Sequence, residues 1–572
     1  MTASSLDSSG LHGLEAFEER IRGALAEVLG VPAEDLALDR PRQAGHGEFA
    51  LPCFQAAQAA GRKPPELAAE LAARLQVPEV EARAVGPFLN FRVEGAALAR
   101  RVLQDALRPD FGRRRRTRTS IVEFGSPNIA KPMHVGHLRS TVIGAALARI
   151  LEHLGHRVVR INHLGDWGAQ FGKLVAAWRR WGQEDRLEAD PIGHLLALYV
   201  RFHEEAEENP GLEEQGRQAF QELESGEDNE ARRLWQRFTE LSLREFQKTF
   251  DRLGARFDHV RGESWYEDRL PGVLAWLEGK DLLQQSEGAW IVDLEPEGIQ
   301  TPCLVKTAHG TTLYATRDLA AALSRWEEFA FDECLYVVGN EQKLHFEQLR
   351  AVLRRAGCDW ADRIEHVAFG LVRFAEGKLS TRKGRVLLLK EVLDRASELA
   401  LEIVREKNPG HPDPEGVAEQ VGVGAVIFHD LKHQRTKDVV FDWKEVLSFD
   451  GDTGPYLQYT HARCCAILRK AGRPVPDFAA LRPEILAEDR ELLTALGRFP
   501  AAVREAGDRR EPSILAGHLL RLANAGNAFY RDRRVLGEEP PVEDARLAAI
   551  GALRNTLGLG LGLLGVPAPE SM

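Results

Sequence analysis

The chain is 572 residues long, with 44% hydrophobic residues, 28% charged residues and a formal net charge of -11. This length exceeds what one hydrophobic core supports, so we expect about three or four domains. No apolar run approaches the length of a membrane span, and the N-terminus has neither a basic start nor an apolar stretch. These features predict a cytoplasmic protein with no membrane partner.

The six cysteines are scattered without CxxC spacing, which argues against a structural zinc site or a disulfide framework. Negative charge is concentrated in residues 184–230, where 15 acids and 3 arginines give a net charge of -12. The total charge is therefore compatible with a basic, nucleic-acid-binding surface elsewhere. One candidate is the RRRRTR run at 113–118, either as a phosphate contact or as a solvated linker.

The N-terminal residues 1–112 mix helical apolar spacing with strand-like pieces such as FLNFRV (88–93), which predicts a separate α+β domain. A second domain is predicted over 113–385 and opens with the strand SIVEF (120–124). A turn, a long helical pattern and the strand RVVRIN (157–162) follow. This strand–helix–strand order is typical of a parallel nucleotide-binding sheet.

Charged helical patterns near 175–290 predict a helical insertion in this sheet. Further strands are predicted in four segments, 289–294, 311–315, 334–339 and 366–374. The rest is predicted helical, as a connector over 386–449 and a bundle over 450–572. The predicted fold class is α/β: a parallel Rossmann-like catalytic sheet with a helical insertion, an N-terminal α+β domain and a C-terminal all-helical bundle.

Polar segments follow four of the predicted strands. They are GSPNIAKPMHVGH (125–137), NHLGDWGAQFG (162–172), GNEQKLH (339–345) and EGKLSTRKG (376–384). Ligands of an open parallel sheet bind beyond the carboxyl ends of its strands, so we expect these segments to gather at one edge.

The HVGH segment stands where the first long helix begins. Backbone N–H groups and the positive end of a helix favour phosphate there, and Gly136 lets a ring or phosphate approach the backbone. Taken alone, His134 and His137 are also compatible with a structural histidine pair. The sequence has no GxxxxGK[ST] motif, and we interpret the GxGxxG pattern at 560–565 as helix packing, because no strand–helix unit follows it.

In these motifs the chain resembles class I aminoacyl-tRNA synthetases, with HVGH as the HIGH motif and KLSTR (378–382) as a divergent KMSKS loop. Within that class it is similar to arginyl-tRNA synthetases in EFGSPNIAKPMHVGHLRST, NHLGDWGAQFG, LYATRDLAAAL, STRKG and DTGPYLQYTHAR. The resemblance implies activation of L-arginine by ATP, accompanied by Mg²⁺, and transfer of the arginyl group to the terminal adenosine of tRNA(Arg). We expect a monomer with no metal ligands of its own.

The resemblance also implies roles in ATP chemistry. The residues implied to bind ATP are His134, Gly136, His137, Lys378 and Ser380. The residues implied to act in catalysis are His134, His137, Lys131, Lys378, Arg382 and Lys383. Thr381 stands where KMSKS has its second lysine, so Lys131, Arg382 or Lys383 is expected to supply that charge. A basic surface turn is the alternative for this loop.

An arginine substrate requires an acidic, hydrogen-bonding pocket, because the guanidinium is always charged and presents a rigid fork of donors. The residues implied by the resemblance are Glu123, Asn128, Tyr314, Asp318 and Gln342. For tRNA, the resemblance implies anticodon binding by the helical bundle and elbow contacts by the N-terminal domain. Tyr456 and Tyr459 are candidates for stacking on bases, or for packing.

Two other functions are weighed against this one. Nucleotidyltransferases with an HxGH motif also act on phosphates, but they are generally short and lack a helical C-terminal bundle. A non-catalytic tRNA-binding relative would not need His134, His137, Lys378, Asp318 and Gln342 together. Arginine-dependent exchange between ATP and pyrophosphate separates these alternatives.

Overall fold

The computed structural model describes residues 10–41, 43–114, 117–307, 314–374 and 388–572. The chain divides into two compact units. Unit 1 comprises Met1–Arg115, Val404–Gln420 and Ser448–Met572, and unit 2 comprises Arg116–Ile403 and Val421–Leu447.

Within the described residues the β-strands are β1 Phe49–Pro52, β2 Val80–Val85, β3 Phe88–Val93, β4 Thr119–Glu123, β5 Arg157–Asn162, β6 His259–Val260, β7 Leu283–Ser286, β8 Ala289–Val292, β9 Cys303–Lys306, β10 Glu333–Tyr336, β11 Ile364–His366, β12 Val372–Phe374 and β13 Val439–Phe441. The α-helices over the same residues are α1 Glu15–Leu29, α2 Phe54–Ala59, α3 Pro64–Arg74, α4 Gly95–Ala106, α5 Val135–His153, α6 Ala169–Trp181, α7 Glu184–Ala189, α8 Pro191–Glu208, α9 Gly211–Glu224, α10 Glu230–Arg252, α11 Leu270–Glu278, α12 Tyr314–Phe329, α13 Lys343–Arg355, α14 Leu389–Lys407, α15 Pro414–Leu431, α16 Trp443–Val446, α17 Gly454–Ala471, α18 Arg490–Gly497, α19 Phe499–Asp508, α20 Pro512–Asp532 and α21 Pro540–Leu564.

Unit 2 is built on a parallel five-stranded sheet in the order β11-β10-β4-β5-β6. Its central strand β4 is apolar and fully buried at Ile121 and Val122, as expected of a strand covered on both faces. The strand order reverses at β4, because β5 lies on one side of it and the later strand β10 on the other. Such a reversal opens a crevice at the carboxyl ends of β4 and β10, where α/β sheets bind ligands.

The predicted parallel sheet with a helical insertion is confirmed. The predicted strands at 120–124 and 157–162 are β4 and β5, joined through α5. Five helices, α6 to α10, stand between β5 and β6 and interrupt the sheet in sequence. The predicted domain boundaries stay predictions.

The strand predicted at 289–294 is present as β8, but it lies outside the five-stranded sheet. Strand β8 belongs to an antiparallel three-stranded sheet with β7 and β9. Glu287 and Gly288 join β7 to β8 with φ angles of 50° and 82°. Two left-handed residues in a two-residue loop favour a tight hairpin, so β8 pairs with its sequence neighbours.

Two other predicted strands also differ. Residues 311–313 of the segment 311–315 lie outside the described residues, and Tyr314 begins helix α12. The segment 366–374 contains β12, which pairs in parallel with β13 rather than with the five-stranded sheet. Strand β13 also interrupts a region predicted to be wholly helical. Three polar segments therefore follow strands of the main sheet, instead of the four predicted.

Unit 1 combines the antiparallel sheet β1-β3-β2 with helices from both ends of the chain. Helix α21 is long and apolar enough to cross a membrane by length and composition, but 72% of its most apolar window is buried inside the protein. Its Gly560 packs against Leu519 of α20, where a Cβ would collide with the leucine side chain. The interpretation of 560–565 as helix packing is confirmed.

Candidate active site

The turn that follows β4 holds its backbone under strain. Ser126 and Ala130 have φ angles of 45° and 61°, in the left-handed region that non-glycine residues rarely occupy. The Ser126 N–H donates to the Asn162 Oδ1 at 3.2 Å, and the Ala130 N–H donates to the Ser242 Oγ at 3.1 Å. Strained backbone persists where its surroundings fix it and is concentrated at functional sites. This turn therefore presents 126–131 in one fixed arrangement.

His134 and His137 form the cap of helix α5. The Nδ1 of His134 accepts a hydrogen bond from the Gly136 N–H at 3.0 Å, and the Nδ1 of His137 accepts one from the His134 N–H at 3.1 Å. The two rings lie 4.1 Å apart between centroids. Reciprocal bonds of this kind satisfy backbone donors that the first turn of a helix otherwise leaves unpaired.

The protonation of these imidazoles follows from their surroundings. The pKa of His137 is lowered to about 4, by burial first and by the neighbouring His134 second, against the opposing effect of its backbone hydrogen bond. Burial also lowers the pKa of His134. A neutral imidazole whose Nδ1 accepts carries its proton on Nε2. The start of α5 therefore offers two Nε2–H donors beside the positive end of a helix dipole.

Gly136 and Lys131 each lie against a neighbouring side chain, rather than against open space for a ligand. A Cβ on Gly136 would lie 2.7 Å from the Cε1 of His134, so the space beside this glycine belongs to the capping imidazole itself. The exposed Lys131 directs its Nζ over the ring of Tyr199 in helix α8, 5.5 Å from the centroid. That cation–π contact ties the lysine to the helical insertion.

Glu123, at the end of β4, is 5% exposed and forms an ion pair with Arg325, whose Nη2 lies 2.5 Å from its Oε2. The Arg325 side chain is fully buried, with its guanidinium 5.0 Å from the ring centroid of Tyr336. The sequence reasoning missed this arginine. Arg325 stands seven residues after Asp318 on α12, a spacing that places both on one helix face and could have indicated it.

Asp318 and Tyr314 lie on the first turns of α12 beside His345 of α13. The Asp318 Oδ2 lies 2.6 Å from the His345 Nε2, and the Tyr314 and His345 rings lie 4.8 Å apart. The pKa of Tyr314 is raised by the charge of Asp318 first, then by burial and by the charge of Glu123. The structure thus places Glu123 and Asp318 within electrostatic reach of Tyr314, and we call these three residues the acidic pocket. His345, in the polar segment 339–345, was not singled out from the sequence.

Glu263 is a third residue that sequence reasoning missed. Burial raises its pKa to about 7, Arg317 opposes that rise, and Asp166 and Asp318 add to it. It follows β6 in the main sheet, and that position was a signal available from the sequence.

The remaining predicted substrate residues, Asn128 and Gln342, are exposed. Asn128 forms an isolated parallel bridge with Gly165, and Gln342 immediately precedes α13. Four predicted loop residues lie outside the described residues. They are Lys378, Ser380, Arg382 and Lys383.

The two tyrosines predicted to contact tRNA lie in unit 1 and differ from each other. The Tyr456 hydroxyl donates to the Asn524 Oδ1 at 2.6 Å and accepts from the Asn527 Nδ2 at 2.9 Å, so this ring is held in place. Tyr459 is 42% exposed and carries the Arg463 guanidinium 4.8 Å from its ring centroid. The exposed Tyr530 also lies near that guanidinium, with its ring centroid 5.6 Å away. We call Tyr459, Arg463 and Tyr530 the tyrosine patch.

Comparison with known proteins adds the family context. Three family models match in chain order: the arginyl tRNA synthetase N-terminal domain at 15–93, the catalytic domain of class I (R) tRNA synthetases at 101–443, and the DALR anticodon binding domain at 457–572.

Whole-chain relatives agree with these matches. An arginine–tRNA ligase of Exiguobacterium sibiricum is 44% identical over 562 residues, which is 98% of this chain and 99% of the relative. One of Enterococcus faecalis is 45% identical over 568 residues, covering 98% and 100%. The solved arginyl-tRNA synthetase of Thermus thermophilus superimposes with a TM-score of 0.82 at 33% identity, covering 98% of this chain and 100% of that one.

Proposed function

The chain belongs to the class I arginyl-tRNA synthetases and is an enzyme that ligates arginine to tRNA, and we propose that its chemistry takes place in the crevice between β4 and β10. A carboxylate oxygen of arginine attacks the α-phosphorus of ATP and pyrophosphate leaves. A hydroxyl of the terminal tRNA ribose then attacks the carbonyl of arginyl-adenylate and AMP leaves. The observation that carries this proposal is the histidine cap of α5, which offers neutral donors at the carboxyl edge of the sheet.

His134 and His137 bind ATP by donating from Nε2 to its phosphate oxygens. Negative charge builds on the α-phosphate oxygens as the new bond forms, and fixed donors stabilise that charge without reorganising. Because their Nδ1 atoms are engaged with backbone N–H groups, the rings are held before the substrate arrives. Gly136 acts indirectly, since it leaves room for the His134 ring.

The acidic pocket takes the arginine side chain. Asp318 and Glu123 face the guanidinium, the Tyr314 hydroxyl lies beside them, and Asn128 and Gln342 hold the α-amino and carboxylate groups. The buried, charged Asp318 supports this assignment, because a guanidinium binds carboxylates through strong, directional hydrogen bonds. A pocket of this type rejects side chains that lack the donors, so it needs no editing site.

The pyrophosphate is held by Lys378, Ser380, Arg382 and Lys383 of the KMSKS-like loop. Lys131 is the further candidate for the charge that Thr381 does not supply. It lies three residues before His134, and its contact with Tyr199 is an exposed cation–π interaction of about 0.5–1 kcal/mol, which ATP phosphates can readily replace.

Mg²⁺ enters this proposal only with ATP. Among the described residues no group of three or more His, Cys, Asp or Glu side chains could hold a metal ion. Mg²⁺ commonly binds through substrate phosphates and keeps several water ligands. No step is assigned to it.

For tRNA(Arg), the tyrosine patch is the proposed base-stacking surface of the anticodon-binding bundle over 450–572. Tyr456 is a positioning residue, because its hydroxyl is already occupied by Asn524 and Asn527. The N-terminal domain over 1–112 contacts the tRNA elbow, and 113–385 and 386–449 form the catalytic domain and its connector. The enzyme acts as a cytoplasmic monomer in this proposal.

The test is aminoacylation of total tRNA by the purified chain with each of the twenty amino acids in turn. We expect charging with arginine alone, together with arginine-dependent exchange of pyrophosphate into ATP. His137→Ala should abolish the exchange, whereas His153→Ala at the far end of the same helix should retain it. Charging with another amino acid would contradict the proposal.

A further inference from the structure

A large cavity in unit 1 is lined by residues from both ends of the chain. It has a volume of about 900 Å³ and is walled by residues 40–41 and 47–48, by helices α18 and α20, and by Arg498 at the end of α18. Its charged lining comprises four arginines and two carboxylates, which are Arg40, Arg490, Arg498, Arg521, Glu48 and Glu491. We call it the arginine cavity. Its excess of positive charge is unexpected in a chain whose formal charge is -11.

Glu48 balances only one of these arginines, because its side chain is committed to Arg490. It is 3% exposed; one carboxylate oxygen accepts from Arg490, and the other accepts from the Val93 N–H at 2.8 Å. Its backbone carbonyl accepts from Arg498. Glu48 thus anchors two arginines on the cavity wall and accepts the hydrogen bond of the last backbone N–H of β3.

The other three arginines of the lining have no salt-bridge partner in the part of the chain that the structure describes. Among the described residues, Arg40, Arg498 and Arg521 form no salt bridge, and the buried Nε of Arg498 has no hydrogen-bond partner. Arg40 and Arg521 are exposed. Uncompensated guanidinium groups that converge on a concave surface attract anions, and their planar forks match phosphate oxygens.

The pKa of His518 reflects the positive electrostatic potential in the wall of the cavity. Its side chain is 3% exposed, lines the cavity, and has an Nε2 without a hydrogen-bond partner among the described residues. Burial lowers its pKa to about 3, with further contributions from Arg521, Arg498 and Arg40. The charges of the three arginines therefore act together on the buried His518 side chain, whose Nε2 has no hydrogen-bond partner among the described residues.

The cavity continues into the proposed tRNA-binding surface. Asn524 lines the cavity, and its side chain accepts the hydrogen bond of Tyr456, the residue that precedes the tyrosine patch by one helical turn. A nucleic acid that stacks a base on the patch would carry phosphates to the adjacent opening. Phosphate contacts position a nucleic acid, whereas base contacts specify its sequence.

We propose that the arginine cavity binds phosphate groups, and that Arg40 and Arg521 at its opening take backbone phosphates of the bound tRNA. The assignment of these phosphates to tRNA rests on the proposed function, whereas phosphate binding by the cavity does not. Arg498 and Arg490, held by Glu48, form the inner wall. The contribution to tRNA binding is independent of base sequence and depends on salt.

The experiment compares tRNA(Arg) binding by the full-length chain and its Arg521→Gln and Arg40→Gln variants over a series of salt concentrations. Each variant should weaken binding about tenfold at low salt and reduce the slope of log affinity against log salt concentration by about one. Arg482→Gln, which removes an exposed arginine outside this cavity, is the matched control. Circular dichroism verifies that each variant is folded.

A second arm measures binding of inorganic tripolyphosphate by calorimetry to the wild type and to Arg521→Gln. Arg521→Gln could abolish tripolyphosphate binding and leave the salt slope of tRNA binding unchanged. That result would support the phosphate site and assign it to a free polyphosphate. Unchanged tRNA slopes together with no tripolyphosphate binding would overturn the inference. If the wild type charges tRNA with arginine in that case, the proposed function stands and only the cavity assignment fails.

Discussion

At the scale of single residues, the proposed specificity for arginine depends on the charge of Asp318. Asp318→Asn keeps the shape of the side chain and its contact with His345 but removes the negative charge. We expect the KM for arginine to rise roughly tenfold or more, because a hydrogen bond to a charged group contributes about 1.5–3 kcal/mol. Preference over citrulline, the neutral isostere, should weaken.

Steady-state aminoacylation with the two substrates measures this effect. Glu327→Gln removes an exposed acid from the same helix and is the control. Unchanged arginine kinetics in Asp318→Asn would remove Asp318 from the pocket.

The same residues show how far sequence reasoning reaches. Asp318 and Glu123 could be selected because they belong to motifs that resemble a family. Arg325 belongs to none of these motifs. Its seven-residue spacing from Asp318 was a signal, but an arginine within a helix is usually solvated, and its burial depends on β4 and β10 packing against α12. His345 could not be selected from the sequence, because its partner Asp318 is 27 residues away.

At the scale of elements, the cap of α5 combines stability with chemistry, and two substitutions separate them. His134→Asn retains a side-chain acceptor that caps helices well, so the unfolding free energy should stay near that of the wild type. His134→Ala removes the acceptor and should cost about 0.5–2 kcal/mol. Both substitutions remove the Nε2–H donor, so both should lower pyrophosphate exchange about a hundredfold or more.

Chemical denaturation and exchange assays on the same preparations make this comparison. Full exchange activity in His134→Asn would show that the imidazole serves only as a cap. Loss of stability in both variants would show that asparagine cannot replace the histidine cap.

Predictability among the elements follows the range of the interactions. Strands β4 and β5 could be predicted because each is a short run rich in β-branched residues and one helix separates them, which is a local pattern. The pairing of β12 with β13 could not, because the two strands are more than sixty residues apart and their pairing leaves no trace in either segment alone. The tight turn at 287–288 carried a local signal for the hairpin of β7 and β8, which the sequence reasoning did not use.

At the scale of the whole molecule, buried neutral histidines make stability depend on pH. Burial lowers the pKa of His429 to about 4, against about 6.5 in an unfolded chain. As pH falls from about 6.5 towards 4, the unfolded chain binds a proton that the folded chain does not. Stability is therefore greatest above this window and falls within it by up to about 1.4 kcal/mol per pH unit for each such histidine.

Urea unfolding between pH 7.5 and pH 4.5 tests this dependence. His429→Gln keeps a donor for the Val440 carbonyl, which accepts from Nε2 at 3.0 Å, and should flatten the slope. His203→Gln is the matched control. A slope that is equally steep in the wild type and in His429→Gln would refute this assignment.

The coupling between tRNA and amino-acid activation is also a property of the whole chain. The family resemblance and the missing second lysine of the KMSKS-like loop predict that arginine-dependent exchange requires bound tRNA, by an induced fit. We expect exchange only when tRNA is added, and a tRNA with an oxidised terminal ribose should suffice. Robust exchange by RNA-free protein would contradict this coupling.

The full-length chain is the right material for that experiment. The N-terminal domain is anchored to the C-terminal bundle, since Glu48 binds Arg490 and the Leu14 N–H donates to the Gly497 carbonyl at 2.9 Å. Removing residues 450–572 would therefore destabilise the N-terminal domain as well as remove tRNA contacts.

The pair of Arg325 and Glu123 means that the protein keeps a guanidinium of its own beside the pocket proposed for its substrate. Arg325→Ala would leave a buried carboxylate uncompensated, at a cost of about 3–5 kcal/mol, and a void shaped for that group. Free guanidinium ion at low millimolar concentration should then restore stability and activity to this variant, which methylammonium should not. Rescue is read from the melting temperature and from aminoacylation, and equal effects of both ions would contradict it. Such a variant would be an enzyme switched on by a small cation.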